Sequence, residues 1–412
     1  MLVEQFTMER PARPWDVLAE KNFALFWFSL LVSAIGSQLT SVAVAWQIYE
    51  ITDSPFQLGL TGLFRAVPVI VFALTGGWFA DRVERRRLLV VTQGLSLLLS
   101  FSLGLLTDSG HIRVWQIYGI IFAASVLNSF DIPARMALIP NLVRREHLTT
   151  AFALSITLRQ TALLSGPFVG GLIIAWAGLR WCYYLDALSF LAVIVCLVFM
   201  RIQRTQAAPK REPAFKSMVE GLSFVRHHRV ILALLVMDAC VSFFGAYRAM
   251  MPVFARDILA VGPAGLGALL GAPAIGALLG SGVVMGLGNP RRKARWIVSI
   301  TLLYTMGLLA FAVSRSFTLS LALAFILGGL DSMGETLRMT LIQLMTPDSL
   351  RGRVQGLVHV FVIGGPYLGH AQIGLAASLL GAPGAVIMGG LIGSAVVGWM
   401  AKTVAELRAA EV

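Results

Sequence analysis

The chain has 412 residues, of which 57% are hydrophobic and only 13% are charged, and its mean hydropathy is +0.79. Soluble domains carry about 25% charged residues, so this composition would leave large exposed apolar patches in water. It excludes a cytosolic enzyme, a nucleic-acid-binding domain and a secreted disulfide scaffold, and it indicates that lipid surrounds most of the chain. Cys182, Cys196 and Cys240 lie in apolar runs, which is typical of small buried hydrophobic residues.

Apolar segments long enough to cross a bilayer recur along the whole chain. A spanning helix needs about 20 mostly apolar residues, whereas a transmembrane strand has about 10 residues that alternate in polarity. We therefore predict an all-α membrane protein with twelve transmembrane helices. The predicted spans are residues 22–49, 56–80, 88–107, 114–140, 150–177, 181–200, 229–255, 264–288, 296–314, 317–345, 353–380 and 382–401.

The basic residues are distributed unevenly between the two sides of the predicted spans. Of the 33 lysines and arginines, 24 fall on the side that holds the N-terminus, four fall on the opposite side and five fall inside spans. Because basic residues mark cytoplasmic segments, we predict that both termini are cytoplasmic. The net charge of +12 is then a sign of membrane orientation, and no nucleic-acid partner is expected.

One long polar stretch divides the chain into two bundles. In its second half, Phe215, Met218, Val219 and Leu222 recur at helical spacing, which predicts an amphipathic helix on the inner leaflet. A flexible tether is the alternative for the first dozen residues of the stretch. The predicted units are a cytoplasmic segment 1–21, a six-helix bundle 22–200, a linker 201–228, a second six-helix bundle 229–401 and a cytoplasmic tail 402–412.

Two short motifs occur once in each bundle. Residues 135–139 (RMALI) match 338–342 (RMTLI) at an offset of 203, and residues 166–170 (GPFVG) match 365–369 (GPYLG) at an offset of 199. The offsets nearly agree, and each match falls on the corresponding helix of the other bundle. The sequence therefore predicts two six-helix pseudo-repeats with a substrate site between them near the bilayer midplane.

Four segments resemble the major facilitator superfamily or its export branches. Residues 77–87 (GWFADRVERRR) are similar to its signature after the second helix, with Glu84 in place of the second glycine. Residues 166–171 are similar to the antiporter motif of the drug-efflux branches, and residues 128–135 and 346–354 resemble the enterobactin-exporter and macrolide-efflux subfamily. The resemblance implies the major facilitator fold and export of a siderophore- or drug-like compound by a drug:proton antiporter mechanism.

The resemblance also implies roles for particular residues. The expected cytoplasmic gate motif consists of Gly77, Asp81, Arg82, Arg85 and Arg86. A carboxylate at the end of the second helix can accept hydrogen bonds from arginines and from a facing helix, and would hold the cytoplasmic side shut in one state. The alternative is that these arginines only fix the topology. The expected antiporter-like motif consists of Gly166, Pro167, Gly170 and Gly171, which favour a kinked and closely packed helix.

Ionisable residues inside spans are costly, and they are therefore functional candidates. Asp238 lies about nine residues into the seventh span and has no charged neighbour at helical spacing, so we propose it as the proton carrier, unless it pairs with Arg65 or Arg159. Asp131, Asp331 and Glu335 are further proton-coupling candidates. The alternative for Asp131 and Glu335 is a permanent ion pair with Arg135 and Arg338, respectively. We interpret Asp186 as an interfacial residue near the outer end of its helix.

The remaining polar residues of the spans are expected to line the substrate cavity. The candidates are Arg65, Arg159, Arg248 and Gln160. The five arginines and five carboxylates inside the spans sum to zero charge, and protonating one carboxylate makes the cavity positive. A neutral or anionic amphipathic substrate fits that balance better than a cation.

No catalytic motif, Walker loop or metal-binding spacing occurs, which predicts a protein that is not an enzyme and has no cofactor or metal. Without a nucleotide site, transport must use an ion gradient, most simply protons. We predict a monomeric secondary active exporter whose partners are the bilayer and a small-molecule substrate. A lipid or lysophospholipid facilitator, or a non-transporting membrane sensor on the same fold, is the alternative.

Overall fold

The computed structural model describes residues 14–80, 84–200, 214–288, 290, 292–348 and 350–403. The side chains of residues 73–80, 214–219, 221, 357 and 359–364 are not described. The helices of the first half are α1 (Pro14–Leu18), α2 (Lys21–Thr52), α3 (Pro55–Ala80), α4 (Arg85–Asp108), α5 (Val114–Leu138), α6 (Leu148–Ala177) and α7 (Leu179–Phe199). Those that follow are α8 (Ala214–His227), α9 (Arg229–Phe244), α10 (Met251–Val253), α11 (Gly262–Leu287), α12 (Lys293–Val313), α13 (Phe317–Met345) and α14 (Arg351–Thr403).

The prediction of twelve transmembrane helices is confirmed. Within the described residues, eleven helices are long and apolar enough to cross a bilayer. The last of them, α14, has 53 residues and contains Gly381 at φ 73° and ψ 161°, a conformation that an α-helix cannot hold. This break separates 351–380 from 382–403, which are the eleventh and twelfth crossing segments.

Helix α9 is extended by irregular backbone rather than by further α-helix. It is followed by a 3₁₀ turn (Tyr247–Met250), by α10, and by a π-helical turn (Phe254–Ile258). A π-helical turn leaves one residue outside the regular hydrogen-bond register, and such turns occur often at functional sites. This segment ends close to α2, as described below.

The linker contains a helix close to the predicted position, α8. Its Glu220 forms an ion pair with Arg353 at the start of α14, so α8 is attached to the second half. Leu222 of α8 is exposed. Phe215, Met218 and Val219 fall among the side chains that are not described, and residues 201–213 lie outside the described part of the chain.

The buried apolar residues form three clusters. One cluster combines both halves and lies at the ends that the charge distribution assigns to the outside; it includes Tyr49 and Leu58 together with Tyr247 and Leu266. The other two clusters each belong to one half, and both lie at the predicted cytoplasmic end. Among the residues that the structure describes, the halves therefore share a core at the predicted outer end and not at the other.

Glycines allow the halves to approach closely at that end. A Cβ added to Gly171 of α6 would lie 2.5 Å from the Pro263 carbonyl oxygen of α11, so the two backbones are in direct contact. A Cβ added to Gly59 of α3 would lie 2.7 Å from the Cα of Gly374 of α14. Small residues permit such contacts between helices in lipid, where no hydrophobic effect drives association.

Candidate functional site

A cavity of about 420 Å³ lies between the two halves, beneath the shared outer core. Its lining combines α2, α3 and α6 of the first half with α11, α13, α14 and the irregular segment after α9 of the second. Six charged or polar candidates from the sequence line it, and they are Arg65, Arg159, Gln160, Arg248, Asp331 and Glu335. His370, which the sequence gives little reason to select, lines it as well.

The charges in this cavity are only partly neutralised by one another. Arg248 Nη2 lies 3.8 Å from Asp331 Oδ2, and Arg65 donates a hydrogen bond to Ser41 Oγ over 3.3 Å. Arg159 and Glu335 are exposed, and neither has an ion-pair partner among the residues that the structure describes. The cavity thus presents a cation on the first half and a carboxylate on the second.

Asp238 lies beside this cavity and does not line it. Arg338 of α13 donates from Nη2 to Asp238 Oδ1 over 2.6 Å, and both side chains are largely buried. The expectation that Asp238 is unpaired is therefore wrong, and its partner is neither of the alternatives, Arg65 and Arg159. The alternative pair of Glu335 with Arg338 is not formed either. A spacing of three residues along α13 permits that pair, but Arg338 points towards α9 and neutralises the more deeply buried carboxylate.

The pair of Asp131 and Arg135 is present on α5. Asp131 is buried and also accepts hydrogen bonds from Thr92 Oγ1 over 2.8 Å and from Gln93 Nε2 over 2.7 Å, both on α4. This carboxylate is not among the residues that line the central cavity.

Asp186 is not interfacial, which corrects the interpretation from sequence. Its side chain is buried within the first half, where Thr40 Oγ1 and Ser100 Oγ donate hydrogen bonds to Oδ2 over 2.8 and 2.7 Å. The sequence does show hydroxyl residues on the neighbouring spans. Their convergence depends on how the helices are rotated, and spacing along one helix does not reveal that.

Part of the gate motif can be located. Asp81 and Arg82 lie outside the described residues, and Gly77 belongs to the part of α3 whose side chains are not described. Arg85 donates to the Ala137 carbonyl over 2.8 Å, and Arg86 donates to the Val198 carbonyl over 2.7 Å. Both arginines thus bind helix C-termini of their own half, where a positive charge is favourable.

The glycine motif of α6 serves two different contacts. A Cβ added to Gly166 would lie 2.3 Å from Gln38 Cβ, so this glycine packs against α2 of the same half. Gly171 packs against α11 of the other half, whereas Gly170 has ordinary spacing, with 3.4 Å to the nearest atom from an added Cβ. Pro167 lies inside the helix and lines the cavity.

A polar network at the predicted outer end joins the halves, and the sequence analysis did not anticipate it. Tyr49 Oη donates to Asp257, and Arg256 Nη1 lies 2.7 Å from Asp53 Oδ1. Arg256 also donates to the Tyr49 carbonyl over 3.2 Å, and its guanidinium lies 5.3 Å from the centroid of the Tyr49 ring. The only sequence signal is a pair of charged residues, Arg256 and Asp257, that follows a long apolar span.

Comparison with known proteins identifies the family. The model of the transmembrane secretion effector family matches residues 12–411. The chain belongs to this family. Similar proteins include the enterobactin exporters EntS of Shigella boydii and of Escherichia coli O1:K1, each 26% identical over 353 residues, which are 85% of this chain and 84% of the exporter.

Solved structures show the same fold. A bacterial homologue of the human lysosomal transporter Spinster, in an inward-facing and unoccupied conformation, aligns with a TM-score of 0.72 at 15% identity, over 94% of this chain and 96% of that one. An inward-facing bacterial homologue of the iron transporter ferroportin aligns with a TM-score of 0.68 at 14% identity, over 92% of this chain and 98% of that one. This transmembrane secretion effector is a multi-pass transporter of the major facilitator superfamily, as the motifs predicted.

Proposed function

We propose that this protein is a proton-coupled exporter of a small, neutral or anionic amphipathic compound, siderophore- or drug-like, in a bacterial inner membrane. The observation that carries the proposal is the central cavity. Its volume of about 420 Å³ lies within the range of about 300–1,000 Å³ that is typical of small-molecule sites. The names of the relatives, enterobactin exporters, support export and a substrate of this kind.

The cavity lining supports the preference for an anionic or neutral substrate. Arg65, Arg159 and Arg248 face it together with Asp331 and Glu335. Asp331 lies near Arg248, which leaves two arginines and one carboxylate for a substrate. Protonation of Glu335 would make this set more positive and would strengthen binding of an anion.

Alternating access requires that the halves separate on one side at a time. The core shared at the predicted outer end and the separate cores at the other end are the arrangement expected of an inward-open state. In such a state the substrate would enter the cavity from the cytoplasm. A proton taken up outside and released inside would then drive export.

Inverted membrane vesicles with an imposed pH gradient test the proposal. We expect one class of anionic or neutral amphipathic compound to accumulate, and we expect a protonophore to abolish the accumulation. Arg159→Gln should weaken substrate binding by about tenfold or more, because it removes a charged hydrogen-bond donor. Arg180→Gln, which changes an exposed arginine outside the cavity, is the matched control.

The other outcomes separate the alternatives. Movement of a labelled lysophospholipid between leaflets, without accumulation of soluble compounds, would identify a lipid facilitator. The absence of any transport over a broad panel, in vesicles that hold folded protein, would favour a membrane sensor.

A further inference from the structure

A second chamber lies inside the first half, next to the central cavity. Its volume is about 240 Å³, and it shares Gln38, Ser41, Val44 and Arg65 with the lining of the central cavity. The rest of its lining is rich in hydroxyl and amide side chains from α2, α4 and α5, among them Ser37, Thr40, Ser96, Ser100 and Asn128. A polar chamber of this size has room for several water molecules.

Asp186 is the only carboxylate among the residues that line this chamber. Its side chain is 2% exposed, and it accepts hydrogen bonds from Thr40 and Ser100 at 2.8 and 2.7 Å and a longer one from Ser37 at 3.4 Å. The Ser189 hydroxyl donates to the backbone carbonyl of Asp186 at 2.6 Å. It has no ion-pair partner among the described residues. These neutral donors satisfy its oxygen atoms, but they do not neutralise its charge.

Asp131 is an otherwise similar carboxylate of the same half, and its bonding partners differ from those of Asp186. Its relative exposure is also 2%, and it too accepts hydrogen bonds from α4, but its second oxygen is paired with Arg135. A buried carboxylate in a membrane is costly unless it is paired or neutralised. Asp186 lacks an arginine partner and instead faces a polar chamber that borders the central cavity.

The other charged and titratable groups near Asp186 are few. Arg65 of α3 and Tyr367 of α14 face the chamber, and Cys182 lies four residues before Asp186 on α7. The helices α2, α4 and α5 contribute hydroxyls, amides and apolar groups to the chamber. Arg65 lies at the boundary of both cavities and donates to Ser41, so a chain of polar groups leads from the central cavity towards Asp186.

We propose that Asp186 is an exchangeable binding site for a monovalent cation, a proton or a sodium ion, that reaches it through the hydroxyl-lined chamber from the central cavity. The proposal rests on the ion-driven transport proposed above and adds a second ion site, in the half opposite Asp238. Binding of a proton forms an O–H bond on one carboxylate oxygen, which then donates to a neighbouring hydroxyl. A sodium ion would be held by the carboxylate and the hydroxyl oxygens together.

Infrared difference spectroscopy on the purified full-length protein in lipid nanodiscs, without substrate, tests the site directly. In the proton arm the pH is lowered, and many carboxylates then contribute carbonyl bands of protonated acids. One component of this signal should be present in wild type and in Asp131→Asn but missing in Asp186→Asn. In the sodium arm the pH stays alkaline, and sodium chloride replaces choline chloride. A shift of carboxylate bands in wild type and Asp131→Asn, but not in Asp186→Asn, would identify sodium as the ion.

If Asp186 only ties α7 to α2 and α4, the spectra of Asp186→Asn and wild type will match in both arms, and the proposal is overturned. Ser100→Ala is a milder variant for the case that Asp186→Asn does not fold. Ser100→Ala removes one hydrogen-bond donor to the Asp186 carboxylate. The midpoint of the infrared titration of Asp186 should therefore move to higher pH, which corresponds to a proton concentration about tenfold lower. If sodium is the ion, Ser100→Ala should instead raise the concentration needed for half-saturation, and an unchanged midpoint in both arms would count against the site.

The measurement separates this proposal from the proposed function. It detects ion binding at equilibrium and needs neither a substrate nor a gradient. A clear Asp186 signal in a protein that transports nothing in vesicles would refute the exporter but leave the site standing. Gradient-driven accumulation in a protein without any Asp186 signal would refute the ion site but leave the exporter standing.

Discussion

Gly171 of α6 and Gly267 of α11 pack backbone against backbone where the two halves meet. A Cβ added to Gly171 would lie 2.8 Å from the Cα of Gly267, and one added to Gly267 would lie 3.0 Å from the Cα of Gly171. The contact between Gly59 and Gly374 is its counterpart on the other side of the cavity, and Gly374 follows Gly171 by the same offset of 203 that relates Arg135 to Arg338. Two pseudo-symmetric glycine contacts therefore close the predicted outer end.

Gly171→Ala should weaken closure of the outer end without unfolding either bundle. The added methyl group would meet the Pro263 carbonyl oxygen, and overpacking of this kind typically costs about 1–3 kcal/mol. Because the contact exists only while the halves are together there, the cost falls on this state alone. Spin-label distances across the outer end should show a larger open population.

Gly170→Ala is the matched control for that measurement, since an added Cβ at Gly170 has only ordinary contacts with Leu39 and Val42. Its distance distribution should resemble that of wild type. Equal effects of the two substitutions would show that α6 as a whole, and not the contact with α11, governs closure.

Arg256→Ala should also favour opening of the outer end. It removes the ion pair with Asp53, the hydrogen bond to the Tyr49 carbonyl and the contact with the Tyr49 ring. These groups are partly exposed, so we expect a modest effect of about 1 kcal/mol. Arg180→Ala breaks an exposed pair with Asp108 inside the first half and serves as the control. An equal increase of the open population in Arg180→Ala would show that the effect comes from the loss of surface charge in general.

The sequence located the central cavity because charged residues inside a membrane are rare and face protein or water. This reasoning found Arg65, Arg159, Arg248, Asp331 and Glu335, all of which line the cavity. The selection of charged residues inside spans requires only the position of each residue along its span. Depth in the membrane can be read from the sequence to within a few residues.

Pairing between helices was much harder to predict. Asp238 and Arg338 are 100 residues apart in sequence, and their contact depends on how α9 and α13 are rotated towards each other. Asp186 was misjudged for the same reason, since Thr40 and Ser100 lie on two other helices. Local spacing correctly indicated the pair of Asp131 and Arg135, which lies within one helix.

Asp81→Asn tests the predicted cytoplasmic latch. If Asp81 binds arginines and the facing half when the cytoplasmic side is shut, its neutralisation should destabilise that state and increase the inward-open population. Distances between labels at the cytoplasmic ends should lengthen on average, while thermal stability stays near that of wild type. Glu84→Gln, which breaks the exposed pair with Arg87, is the control. Unchanged distances with normal transport would leave these residues a role in topology alone.

Asp238→Asn tests the coupling role that the sequence predicts. In the present state Arg338 pairs with Asp238, and such a pair is what we expect of a carrier that has released its proton to the inside. The other half of the cycle would require the pair to separate and Asp238 to take up a proton. Asp238→Asn should therefore abolish gradient-driven accumulation while downhill exchange of substrate continues.

Loss of one partner from a buried pair also affects stability, so folding must be separated from coupling. Asp238→Asn alone leaves the charge of Arg338 buried without its partner, which typically costs about 3–5 kcal/mol. The double variant Asp238→Asn with Arg338→Gln removes both charges and should recover much of that stability, yet it should still fail to concentrate substrate. Recovery of accumulation together with stability would mean that the pair is purely structural. In that case Glu335, which faces the cavity without an ion-pair partner among the described residues, becomes the next carboxylate to test.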